Sequence, residues 1–120
     1  MHIEVGRPSA QEVDLALSES AELGLENQIT EMDMSFQGPS SSELPDGEPE
    51  RLVQQGERFE ALFRVFLGRA EVTGVTFWGV SDAHTWRNAG RSPASADLPL
   101  LFDARQQPKP AYWGVVNAAR

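Results

Sequence analysis

Cysteine is absent from the 120 residues, which excludes disulfides and thiolate chemistry and fits an oxidising or a reducing compartment equally. Histidine is nearly as scarce, with two residues, and no group of His, Asp and Glu falls at metal-ligand spacing. No Gly-rich phosphate loop and no Gly-x-Ser-x-Gly elbow is present, so neither nucleotide nor serine-hydrolase chemistry is signalled and no cofactor or metal is expected. No apolar run approaches the ~20 residues that cross a bilayer, and Met1 to Arg7 lacks the basic and apolar regions of a secretion signal. A soluble chain without a membrane partner is expected. Positive charge is also in short supply. Ten Lys plus Arg against eighteen Asp plus Glu give a net charge of -8, which repels phosphate backbones and argues against nucleic acid as a partner.

What remains is 40% hydrophobic, enough for one globular unit or part of one over residues 1–120. His2-Ile3-Glu4-Val5, closed by Gly6-Arg7-Pro8, reads as a strand end and a turn. Ser9-Ala10-Gln11-Glu12 has the Ser-x-x-Glu form of a capping box, and Val13, Ala16, Leu17 and Ala21 continue at helical spacing to Gly24, predicting a helix over 10–23. Ile29 to Met34 reads as a buried strand despite its two acids. Residues 38–49 are loop-like, and Leu52, Phe59, Leu62, Phe63, Phe66 and Leu67 then mark an amphipathic helix over about 50–69. Val72 to Val80, uncharged and β-branched, predicts a strand buried on both faces. Residues 82–99 are loop-like again, and Pro108-Lys109-Pro110 opens a short last helix. Long loops follow strands rather than helices, as in βα units. Three such units cannot close an eight-fold barrel, so the chain is either a small open α/β unit or the last portion of a larger domain.

Glu31 and Asp33, two apart in a strand, point to one side, and like charges in one pocket need a donor or cation between them. His2, at the end of a neighbouring strand, could bridge them and hold one ionised as a nucleophile. The alternative is that the two acids flank a helix start or pair with arginine, and for His2 a disordered terminus. Trp78 and Trp86 lie after a strand, where indole rings suit either a sugar face or a core. His84 and Arg87 share that loop and have no assigned role.

Ile29-Thr30-Glu31-Met32-Asp33 resembles the nucleophile strand of glycoside hydrolase family 10, and Thr76-Phe77-Trp78-Gly79-Val80-Ser81-Asp82 its last strand. Thr85-Trp86-Arg87 is similar to the loop beyond, and Pro99-Leu100-Leu101-Phe102-Asp103 with Pro108-Lys109-Pro110-Ala111-Tyr112 to the family's ending. Met1-His2-Ile3 resembles the sixth strand entered partway, so the likeness spans the whole chain. It implies the C-terminal part, about three βα units, of a (β/α)8 TIM barrel and a retaining endo-1,4-β-xylanase. By the same resemblance Glu31 is the nucleophile, His2 and Asp33 hydrogen-bond around it, and Trp78 and Trp86 line the glycone subsites for xylan or xylo-oligosaccharides. The family's acid/base glutamate sits in an Asn-Glu pair, and no Asn-Glu dipeptide occurs in this sequence. A xylanase fragment is therefore expected, inactive alone, with the missing N-terminal barrel portion as a possible partner. A secreted, extracellular setting follows only from the polymeric substrate. The competing reading is a non-catalytic carbohydrate-binding module that uses Trp78 and Trp86.

Overall fold

Three parallel strands, β1 (His2–Glu4), β2 (Asn27–Ser35) and β3 (Val72–Phe77), lie side by side in the order β1-β2-β3. Parallel neighbours need a crossover, and a helix supplies each one: α1 (Ala10–Glu22) between β1 and β2, and α2 (Glu48–Leu67) between β2 and β3. A third helix, α3 (Pro110–Ala118), follows a long irregular segment. The computed structural model describes the backbone of residues 1–120 and every side chain but that of Pro93.

Each helix starts where the local chemistry demands. In α1 the Ser9 hydroxyl accepts the Glu12 N–H at 3.1 Å while the Glu12 carboxylate accepts the Ser9 N–H at 2.7 Å, so the expected capping box forms. Gly24 ends the turn after it with φ 72, a conformation that favours glycine. Helix α2 begins at Glu48, about two residues before the expected start, because Pro49 in the first turn is pre-set for helix. Its stripe of Phe59, Leu62, Phe63 and Phe66 is buried. It meets Ile3 and Val5 of β1 and its continuation, Met32 and Met34 of β2, and Val13 and Leu17 of α1 in one core. Helices α2 and α3 pack almost backbone to backbone: a Cβ placed on Gly114 would lie 2.1 Å from the Gly56 carbonyl oxygen.

The expectation for the third strand fails in two respects. The strand stops at Phe77 rather than Val80, and Thr73, Gly74 and Thr76 are exposed. The reason is its place at the sheet edge, where it pairs only with β2. One face packs through Phe77 on Phe59 and Phe63, at ring-centre distances of 5.9 and 5.8 Å, and the opposite face is open. Beyond Phe77 the segment from Asp97 to Leu100 takes over alongside β2, where Met34 N–H donates to the Pro99 carbonyl at 3.0 Å.

Candidate active site at the strand ends

Register along β2 decides where its acids go. Ile29 pairs with Val75 and Met32 with Phe77, so three residues of β2 oppose two of β3, and one is extra. Glu31 absorbs the irregularity with φ 55, an uncommon conformation for a residue bearing a Cβ. The bulge lets Ile29, Met32 and Met34 all pack on the helices despite their odd spacing, while Glu31 and Asp33 both reach a neighbouring side chain on β1. Plain strand alternation, the basis of the sequence expectation, therefore reaches the correct pairing by an incomplete route.

That neighbour is His2, which sits opposite Asp33 in the sheet register. Its Nδ1 lies 2.8 Å from Asp33 Oδ2 and its Nε2 lies 3.2 Å from Glu31 Oε2. Only a ring protonated on both nitrogens donates to both carboxylates; in either neutral tautomer one acid faces a lone pair. The two acids differ in setting. Asp33 is 0% exposed, whereas the Glu31 side chain is 45% exposed and available to a ligand.

A buried aspartate needs full compensation, and the loop after β3 provides it. Trp86 Nε1 donates to Asp33 Oδ2 at 2.8 Å, and Arg87 Nε and Nη2 both reach Asp33 Oδ1 at 2.9 Å. The Arg87 guanidinium also lies 5.1 Å from the Trp86 ring centre, and the His2 ring meets Trp86 edge-on at 5.1 Å. Trp86 remains 51% exposed, presenting one indole surface outward. Trp78 is brought less firmly to the cluster: its backbone N–H donates to the Met32 carbonyl at 3.0 Å, next to Glu31, and its ring is 47% exposed. The arginine of the bland alternative thus exists alongside the histidine bridge. Arg87 had no role in the sequence reading, because an arginine in a polar loop carries no sign of its partner. His84 stays exposed.

The loop is itself pinned from below. The buried Lys109 ammonium, just before α3, donates to Asp82 Oδ2 at 2.9 Å and to the Leu98 and Leu100 carbonyls at 2.7 Å each. Asp82 Oδ1 accepts the Leu100 N–H at 2.9 Å. Burial pushes the Asp82 carboxyl up and the Lys109 amine down, and their mutual attraction opposes both shifts. Asp97, also buried, accepts from the Ser35 hydroxyl and from the Phe36 and Leu98 N–H groups at 3.0 Å. On β1, Glu4 accepts from the Ser40 hydroxyl and N–H, bonds that hold its carboxyl below the usual range. Among the described residues no group of three or more His, Cys, Asp and Glu is arranged to hold a metal.

Residues 1–118 match the sequence pattern of Glycosyl hydrolase family 10. The chain belongs to that family. Endo-1,4-beta-xylanase A of Halalkalibacterium halodurans is 36% identical over 126 residues, a match covering 97% of this chain and 32% of that protein. Xylanase B of Clostridium stercorarium F9 superposes with a TM-score of 0.83 at 34% identity, covering 98% of this chain and 35% of that one. Xylanase 10B of Thermotoga petrophila RKU-1, solved with xylobiose, superposes with a TM-score of 0.79 at 28% identity, covering 98% and 34%. The chain thus spans about a third of the length of these family 10 relatives. Its three parallel strands and their helices are a part of the family's (β/α)8 barrel, and the Glu31, His2, Asp33 and Trp86 cluster lies at the C-terminal ends of those strands, where barrel enzymes carry their chemistry.

Proposed function

We propose that this chain supplies the nucleophile side of a retaining endo-1,4-β-xylanase that hydrolyses internal bonds of xylan. The observation that carries the reading is the His2 imidazole held between Glu31 and Asp33 in a family 10 chain, at 3.2 and 2.8 Å. Glu31 is the half-exposed member and the nucleophile; Asp33 is the buried member and orients His2. In the first step a Glu31 carboxylate oxygen bonds to the anomeric carbon as the glycosidic C–O bond breaks, and a second carboxylic acid protonates the leaving oxygen. In the second step water, deprotonated by that acid's conjugate base, displaces Glu31 and restores the configuration.

The second carboxyl belongs about 5 to 5.5 Å from the nucleophile in such enzymes, and in this family it follows an asparagine, a dipeptide this sequence lacks. It therefore has to come from barrel strands outside residues 1–120, and the chain by itself turns over xylan negligibly. The xylobiose held by the Thermotoga petrophila xylanase supports a xylo-oligosaccharide as ligand, with Trp86 and Trp78 as the ring platforms. Because xylan is a polymer, its hydrolysis places the enzyme outside the cell.

The test joins residues 1–120 to the preceding part of the Halalkalibacterium halodurans xylanase and incubates the barrel with a 2-fluoro-xylobiosyl glycoside bearing an activated leaving group. Mass spectrometry should find one covalent sugar on Glu31, and none in Glu31→Gln. A folded barrel that binds xylobiose but never forms the adduct would overturn the catalytic reading in favour of a non-catalytic binding module built on Trp78 and Trp86.

A further inference from the structure

We propose that Arg87 is a positioning residue that locks the sugar platform Trp86 and the nucleophile's support to the same carboxylate, so that platform and nucleophile move as one body. The inference rests on the function proposed above and extends it to a residue outside the sugar-contacting set. Asp33 has two oxygens and divides them unequally. Oδ2 accepts both His2 Nδ1 and Trp86 Nε1, each at 2.8 Å, while Oδ1 is taken by the Arg87 Nε and Nη2 at 2.9 Å. With Oδ1 engaged, the carboxylate cannot rotate without breaking the histidine and indole bonds together. The guanidinium carbon lies over the indole, 5.1 Å from its centre, so Arg87 holds Trp86 at its N–H end through Asp33 and at its ring directly.

Charge gives the second half of the argument. The groups facing this cluster are His2 and Glu4 from β1, Glu31 and Asp33 from β2, and Arg87 from the loop after β3. Glu4 is satisfied separately by Ser40. Arg87 is therefore the one permanent cation against Glu31 and Asp33 among the described residues of the cluster. It is the counter-charge that lets the buried Asp33 carboxylate stand beside Glu31 without an unpaired buried charge.

Two measurements test the proposal. In the 120-residue chain, indole N–H exchange is followed by NMR for Trp78, Trp86 and Trp113. Protection of Trp86 should exceed that of the other two, and Arg87→Met should lower it about tenfold or more while leaving them unchanged, as for a weakened bond to a charged acceptor. Equal exchange at all three indoles in the unsubstituted chain overturns the proposal.

In the joined barrel, Arg87→Met should raise KM for xylotriose and lower kcat/KM about ten- to a hundredfold. Arg87→Lys should recover kcat in part, since it restores the charge beside Asp33, but not KM, since one ammonium cannot replace the guanidinium fork on Asp33 Oδ1. A loss of kcat with an unchanged KM that Arg87→Lys does not relieve would reduce Arg87 to a structural residue. Failure of the unsubstituted barrel to form the Glu31 adduct would instead reject the proposed function, and the indole exchange would still judge the clamp.

Discussion

Replacing Lys109 by methionine keeps the buried stem and deletes only the ammonium. In the folded chain that leaves the Asp82 carboxylate with a single donor, the Leu100 N–H, and orphans the Leu100 carbonyl, while the Leu98 carbonyl keeps the Gln55 Nε2 donor at 2.8 Å. Removing one member of a buried pair costs about 3–5 kcal/mol, a large share of the about 5–15 kcal/mol that holds a domain folded. Asp82→Asn keeps an acceptor for Leu100 but leaves the ammonium without its counter-charge, at a similar cost. The double variant has no unpaired charge and retains only the penalty of the orphaned Leu100 carbonyl, so its loss should fall about 3 kcal/mol below the sum of the singles. Urea unfolding with unchanged slopes reads these differences from the midpoints. The pH dependence adds a sign. Asp82 has a raised folded value, so its favourable contribution is present at low pH and is lost as pH climbs through that value; without Lys109 the value rises further. The deficit of Lys109→Met should therefore shrink as pH falls, because the carboxyl neutralises. The Lys109 amine, held below its usual value, contributes stability above about 10.5 that is lost as pH falls through its folded value, and Lys109→Met should lack that slope. Additivity of the two singles within about 0.5 kcal/mol would refute the account of Asp82 and Lys109 as one buried unit.

Gly114→Ala should separate α2 from α3, since the new Cβ would lie 2.1 Å from a carbonyl that cannot withdraw, and thermal unfolding should show a loss of about 1–3 kcal/mol. Phe59→Ala empties a fully buried position in the middle of the helix layer and should cost about 3–5 kcal/mol by denaturant titration. Ser40→Ala removes the hydroxyl bond, the larger of the two effects that hold Glu4 low, and leaves the backbone N–H in place. That contribution to stability exists above the ordinary glutamate value and is lost as pH falls through the depressed one, so the stability gap to the unsubstituted chain should be widest near neutrality and close on acidification. In the joined barrel, Asp33→Asn should lower kcat and raise KM for xylotriose together, because it weakens the hold on both His2 and the Trp86 N–H, and steady-state kinetics separates this from a loss of kcat alone.

The helices were legible because their signals are local. Ser9 and Glu12 satisfy each other three residues apart, and the Phe59 to Phe66 stripe needs only a helical period to be seen. The burial of β3 was misjudged because β-branched composition reports what a strand can pack against, not whether a second neighbour pairs with it. The site divides along the same line. Glu31, Asp33 and His2 were legible as a group through motif order, yet the bulge that turns Ile29 and Met32 to one side and Glu31 to the other depends on the register against β3. Arg87 and Trp86 meet Asp33 across more than fifty residues of sequence, and Lys109 meets Asp82 across 27. No periodicity carries such pairings.

These long-range pairings also form a chain of support. Lys109 fixes Asp82 and the Leu98 to Leu100 backbone from beneath, which anchors the loop that starts at Asp82 and carries Trp86 and Arg87 to Asp33. Asp33 then sets the tilt of His2, and His2 meets Glu31. Every link lies within the strand ends, the loop beyond β3 and the start of α3, so the orientation of Glu31 is determined inside these 120 residues. On the proposed function the catalytic acid, by contrast, is brought to Glu31 by backbone from elsewhere in the barrel. A substitution in the Lys109 to Asp33 relay should therefore change how fast the glycosyl-enzyme forms and breaks with one and the same leaving group. Closing the barrel more tightly should matter only where the leaving group needs a proton. Comparing xylotriose with an activated aryl xylobioside in Lys109→Met separates the two: equal fractional losses on both substrates place the defect on the nucleophile side, and a loss confined to xylotriose would place it on the acid.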